Sequence, residues 1–176
     1  MSPITIVEIK ARCTQAQRVR DYLRSHGADV RGIDHQTDTY FQVPHGRLKL
    51  REGRIENALI YYERTNQKSA KQSNVLLTET QPNSALKAQL TQALGVLVVV
   101  KKQREIAFID NVKFHIDRVE GLGHFVEIEA IDSEGTLGPK RLRAQCQSFQ
   151  SALGIQPHDL VAESYSDLLL AQAGPA

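Results

Sequence analysis

Cysteine is scarce, with only Cys13 and Cys146 in 176 residues. Two thiols so far apart point away from a disulfide framework. Their separation fits no metal-ligand spacing, so they are expected as small buried hydrophobes. Long apolar runs are also missing, since none approaches the roughly 18 residues that a membrane-crossing helix needs. Nor is there a block of like charge: 22 basic and 20 acidic residues are dispersed along the chain for a formal net charge of +2. That balance argues against a nucleic-acid tail or a polybasic membrane anchor. The amino terminus has neither the charged nor the apolar region of a signal peptide, which makes a cytoplasmic protein the expectation. With no internal repeat, low-complexity tract or linker, residues 1–176 are expected to form one domain, long enough to bury a core without staples.

What the chain does contain is alternation. In "TIVEIKAR", Glu8, Lys10 and Arg12 share one side of an extended segment, and Val7, Ile9 and Ala11 share the other. The pattern recurs. Arg47, Lys49 and Arg51 oppose Leu48 and Leu50; Lys102 and Arg104 share a face; Lys113, His115 and Asp117 oppose Phe114 and Ile116; Glu127 and Glu129 oppose Val126 and Ile128. Such runs read as strands with one charged and one apolar face. "TQAQRVRDYLRSHG" reads as a helix opened by a capping box at Thr14 and Gln17 and stopped at Gly27. Further helices are expected from about Pro82 to Leu94, over "KRLRAQCQSFQSALG" and within "DLVAESYSDLLLAQ". "VRGIDHQ" and "DTYFQV" read as separate strands, and "NQKSAKQS" as a polar loop ahead of "NVLLTET". About eight strands in consecutive runs, with three or four helices, place the chain in the α+β class.

Periodicity leaves two architectures open. One is an open antiparallel sheet whose charged face meets water; the other is a closed eight-stranded barrel with helices packed outside and charges within. In a closed barrel the basic set Lys10, Arg12, Arg47, Lys49, Arg51, Arg64, Lys102, Arg104 and Lys113 outnumbers the acidic Glu8, Asp117, Glu127 and Glu129. Crowded like charges repel by several kcal/mol at an effective dielectric of about 20, so such a lumen calls for a highly charged anion. Polyphosphate meets that demand, with arginine forks and lysine point charges as its ligands. Carboxylates in the same lumen would repel it unless a divalent cation lay between, and oxygen ligands suit magnesium or manganese.

The combination of "VEIKAR", "DTYF", "GRLKLR", "LIYYER", "VKKQR", "NVKFHIDRVEGLGHFVEIE" and "SYSDLLL" resembles the CYTH superfamily, the triphosphate tunnel proteins that include class IV adenylyl cyclases and thiamine triphosphatases. The likeness spans nearly the whole chain, and the stretch ending at Glu129 looks most like the cyclase branch. It implies the closed barrel and a nucleoside, inorganic or organic triphosphate as substrate. The resemblance points to Lys10, Arg51, Lys102, Arg104 and Asp117 as catalytic, and the alternation adds Arg12, Arg47, Lys49, Arg64 and Lys113 to the substrate-binding set. Glu8, Glu127 and Glu129 are the implied metal ligands. The family signature Glu-x-Glu-x-Lys departs here, because Ile6 stands in the first place. The cyclase branch also implies a homodimer.

Three functions follow as expectations, and the resemblance of the second-half motif to the cyclase branch puts the first of them ahead. The first is a cyclase forming cyclic AMP from ATP with magnesium or manganese, the second a triphosphate hydrolase, and the third a polyphosphate-binding module without turnover. His115 reads as a hydrogen-bonded lumen or core residue rather than a general base. Tyr40, Phe41, Tyr61 and Tyr62 read as packing rather than base stacking. Lys68 and Lys71 read as solvated loop charges. "SYSDLL" reads as a segment that docks its leucines rather than capping the tunnel through Ser164 and Ser166.

Overall fold

The structure is a computed structural model and describes residues 4–174. Eight antiparallel strands close on themselves: β1 Ile4–Arg12, β2 Asp29–Phe41, β3 Arg47–Glu52, β4 Ala58–Glu63, β5 Lys71–Glu79, β6 Val96–Ile109, β7 Val112–Val119 and β8 Gly123–Asp132. Their order around the barrel is β1-β5-β4-β3-β2-β6-β7-β8. Closure decides between the two architectures, since a barrel has no open edge and sends every second side chain inward.

The helices are α1 Ala16–Ser25, α2 Leu86–Leu94, α3 Gly138–Ala152 and α4 Tyr165–Ala173. The core lies outside the barrel. Val7, Ile9 and Ala11 of β1, Phe114 and Ile116 of β7, and Val126 and Ile128 of β8 are buried in one cluster with Val19 and Leu23 of α1 and Leu142 and Cys146 of α3. These are the apolar halves of the alternating runs, so helix packing fixes which half faces the lumen. Cys146 is fully buried and Cys13 partly so, and both are free thiols.

Several local expectations are corrected. Residues 29–41 form one strand, not two; it pairs with β6 along nearly its whole length and absorbs irregularities at Val30/Gly32 and Tyr40/Phe41. Gly32 has φ +117°, backbone that an L side chain rarely adopts, and this lets the strand bend there without breaking. The Thr14 capping box does not form. Gln15 is the N-cap of α1 with no side-chain cap bond, and Gln17 donates instead to Asp21. α2 starts at Leu86 rather than Pro82, and α3 starts two residues before Lys140. β5 begins at Lys71, inside the segment expected to be a loop, because pairing with Glu8 of β1 extends it. No helix among the described residues is long and apolar enough to cross a membrane.

Candidate active site in the barrel lumen

The lumen encloses a cavity of about 200 Å³ lined by residues from all eight strands and by Ser164 and Tyr165 at the start of α4. Inward alternation brings Lys10, Lys49, Arg51, Arg64, Lys102, Arg104 and Lys113 into it together with Glu8, Glu127 and Glu129. Cross-strand register explains the convergence: Lys10 faces Glu127 and Glu8 faces Glu129 between β1 and β8, while Arg104 faces Asp117 between β6 and β7.

Two buried carboxylates organise the cations. Asp38 accepts from Arg51 Nε and Nη2 at 2.9 Å each, from Lys102 Nζ at 2.7 Å and from Lys49 Nζ at 3.1 Å. Burial pushes its carboxyl up, but Arg51, Lys102 and Lys49 outweigh that and hold it well below the usual range. Glu127 accepts from Arg104 Nη2 at 2.8 Å and pairs with Lys10 Nζ at 3.3 Å. Against burial, Arg104 and Lys10 hold this carboxyl well down too. Arg104 is itself fixed by Asp117, which accepts from Nε at 2.7 Å and from Nη2 at 2.5 Å and also takes the Tyr165 hydroxyl at 2.8 Å. Burial lowers Lys102 to about 7, with Arg51, Arg104 and Lys49 adding to the effect and Asp38 opposing it.

The rim is also ordered. Asp34 accepts amide N–H bonds from Arg54, Ile55 and Glu56, which holds the β3–β4 turn so that Glu56 reaches Arg51 and Lys113. At the other end Lys10 Nζ donates to the Glu163 carbonyl and lies 4.2 Å from the Tyr165 ring centre. Arg64 pairs with Glu8, yet its buried Nε and Nη2 have no hydrogen-bond partner among the described residues. Those donors face a lumen that an anion could fill.

Not every expected residue lines the cavity. Arg12 projects past the end of β1, donating to the Leu122 carbonyl over the Phe125 ring. Arg47 sits at the rim in an ion pair with Asp167 of α4. Asp117 lies behind Arg104, 1% exposed, and acts on the lumen by orienting that guanidinium. Lys71 is buried rather than solvated; its ammonium donates to the Val161 and Ala162 carbonyls, and burial, with Arg64 and Lys10 nearby, lowers it to about 7. Tyr40 and Tyr62 line the cavity, whereas Tyr61 reaches Glu63 outside it. Leu168 and Leu169 of α4 dock as expected, and Ser164 and Tyr165 at its start also line the cavity.

Asp38 and Glu56 are the site residues that strand reading missed. Asp38 stands two before Tyr40 on the inward face, so parity could have found it; Glu56 lies in a turn without period. The lumen is also less uniformly charged than expected, because Ile4, Ile6, Ile60, Val75, Leu77 and Ile131 line it as well.

Three groups could hold a metal together: one ligand atom each from His115, Glu127 and Glu129 lie within 4.8 Å of one another. Their oxygen and imidazole donors suit a divalent cation that completes its shell with water or phosphate. Glu8 is not in this group but neighbours Glu129 across β1 and β8. His115 Nδ1 lies 3.1 Å from Glu127 Oε2, and the ring is otherwise enclosed, with burial lowering its pKa.

A closed barrel with a cation-lined, carboxylate-braced lumen is the class that fold and site define. The sequence matches the CYTH domain over residues 5–165, and the chain belongs to that family. Among solved structures, a protein from Pyrococcus horikoshii OT3 is 27% identical with a TM-score of 0.78, the match covering 93% of this chain and 98% of that one. A Vibrio parahaemolyticus protein provisionally assigned as an adenylate cyclase shares the fold at 20% identity and TM-score 0.75, over 94% and 97% of the two chains. A Hippeastrum protein provisionally assigned as an adenylyl cyclase, and described as having a dominant triphosphatase activity, shares it at 14% identity and TM-score 0.61, over 98% and 97%. No curated protein sequence matches the chain.

Proposed function

We propose that the protein is a divalent-metal-dependent enzyme acting on a triphosphate held in the lumen, and that hydrolysis of the phosphate chain is its reaction. The observation that carries this reading is the set of Lys49, Arg51, Lys102 and Arg104, all facing one cavity in the lumen. Phosphoryl transfer asks little covalent chemistry of a protein; positioning and charge neutralisation dominate. Asp38 and Asp117 hold Arg51 and Arg104 in place before any ligand arrives, so little reorganisation accompanies binding. Arg64 offers its unpartnered Nε and Nη2 to phosphate oxygens. A magnesium or manganese ion held by Glu127, Glu129 and His115 would supply further charge neutralisation at those oxygens.

Cyclisation of ATP is the second reading, favoured by the cyclase-like stretch from Asn111 to Glu129. It needs a ribose hydroxyl held against the phosphate nearest the sugar. The isoleucine, valine and leucine side chains on part of the lumen wall offer a ribose hydroxyl no partner and leave Ser73 and Tyr62 as the hydroxyls on strands β5 and β4, which weighs toward hydrolysis.

The test is to incubate purified protein with inorganic triphosphate and, separately, with ATP, each with magnesium and with manganese. Metal-dependent phosphate release without cyclic AMP is expected. Lys49→Met and Arg64→Met should each lower kcat/KM by about 10²–10³, the scale of losing one donor to developing charge. Cyclic AMP and pyrophosphate from ATP would move the assignment to the cyclase; no product under any metal would leave only a binding module.

A further inference from the structure

The lumen has two chemically distinct walls. Going round the barrel, β3, β2, β6 and β7 contribute Lys49, Arg51, Asp38, Lys102, Arg104 and Lys113. The other four strands, β8, β1, β5 and β4, contribute Ile131, Ile4, Ile6, Val75, Leu77 and Ile60, and their charged lining residues sit nearer the α4 end.

Register makes the apolar side chains one surface. Ile6 faces Ile131 on β8, Ile4 faces Val75 on β5, and Ile60 of β4 faces Leu77 of β5. Ile6 packs against the buried Ile60, Tyr62 and Val75, so the residue that replaces a family glutamate belongs to a continuous hydrocarbon patch. The patch borders the cavity instead of filling it, and Leu77 at its outer end is 38% exposed. Ser73, which faces Ile6 on β5, and Tyr62 beside Val75 bring hydroxyls to the margin of the patch, but water against the six aliphatic side chains themselves finds no polar partner there and is readily displaced by an apolar group.

The two walls meet at a seam, where Lys49 of β3 is the cross-strand neighbour of Ile60 of β4. Phosphate oxygens on the cationic wall therefore place whatever is esterified to them within reach of the hydrocarbon wall. Inorganic triphosphate would leave that wall bare.

We propose that the patch formed by Ile4, Ile6, Ile60, Val75, Leu77 and Ile131 is a subsite for an apolar organic group, so that the ligand is a phosphate-chain ester of an apolar alcohol rather than inorganic triphosphate. The inference rests on the triphosphate reading above, and its test separates the two. Inorganic triphosphate, methyl triphosphate and hexyl triphosphate are titrated calorimetrically without divalent metal, so that no turnover intrudes; the two esters carry the same charge. All three bind, and the hexyl ester binds at least about tenfold more tightly than the methyl ester, the increment expected from roughly two buried methylenes. Val75→Thr, which is nearly isosteric, and Ile60→Thr, which also loses one carbon, keep β-branching and put a hydroxyl on the wall; each reduces that ratio to within about twofold. Equal affinity of wild type for the two esters, or an undiminished ratio in both variants, overturns the subsite. Failure of inorganic triphosphate to bind both without divalent metal and with calcium, a hard oxygen-seeking cation, overturns the tunnel reading, and the inference falls with it.

Discussion

At Asp38 one carboxylate meets Lys49, Arg51 and Lys102 inside the barrel, with 2% of its own surface exposed. Removing it leaves the buried Arg51 and Lys102 and the partly buried Lys49 facing one another, so Asp38→Ala should cost about 3–5 kcal/mol, the range for breaking a buried ion pair from one side. Urea unfolding monitored by circular dichroism checks this; a loss under about 1 kcal/mol would show the cations to be solvated. The partners of Asp38 lie 11, 13 and 64 residues away. Parity along "DTYF" places the carboxylate on the inward face, but the choice of partners depends on which strands become neighbours. The same limit applies to His115, whose inward face is readable while its approach to Glu127 and Glu129 is not.

Among the elements, the β3–β4 turn shows how a segment without periodicity can be built for a task. Asp34, on β2, gathers three successive amide N–H groups from that turn, and Gly53 lies so close that an added Cβ would sit 2.5 Å from Asp34 Oδ2 and 2.8 Å from the Glu56 carbonyl. Gly53→Ala should therefore push the turn off its carboxylate and free Glu56 from Arg51 and Lys113, at a cost of about 1–3 kcal/mol. A thermal melt of the variant tests the cost, and an unchanged midpoint would mean the turn shifts freely. Strands were legible at this scale because apolar and charged residues alternate with period 2 over long runs. Helix starts were less so. Thr14 with Gln17 satisfies the capping-box pattern, yet the helix begins after Gln15 and Gln17 bonds along the helix to Asp21, a local competition that composition does not reveal.

For the molecule as a whole, the buried charges set how stability depends on pH. Asp38, Glu56 and Glu127 are held below their usual values despite burial, by Arg51 and Lys102 at Asp38, by Arg51 and Lys113 at Glu56, and by Arg104 and Lys10 at Glu127. Each binds its proton more weakly folded than unfolded, so its stabilisation is complete above about pH 5 and is lost progressively as pH falls through about 4 and below. Lys71 and Lys102, lowered to about 7, act in the same direction in a higher window: between pH 7 and about 10 the unfolded chain holds protons that the folded one has released, so a penalty for burying charged lysine is relieved and stability rises with pH. An anion in the lumen favours the charged form of Lys102, which lines it, so triphosphate binding at pH 8 should take up protons. Calorimetry in two buffers of different ionisation enthalpy measures that uptake, and a binding enthalpy identical in both would refute it. Fold class and the sharing of one strand face by Lys49 and Arg51, or by Lys102 and Arg104, could be read from the order of residues, because alternation along a strand follows from parity alone, and the departure at Ile6 could be read from the resemblance to the CYTH signature. Barrel closure, the bracing of Arg51 by Asp38 and the split into a cationic and a hydrocarbon wall could not, because each depends on which strands lie side by side. That adjacency is settled by long-range pairing and by the helices that cover the outer face.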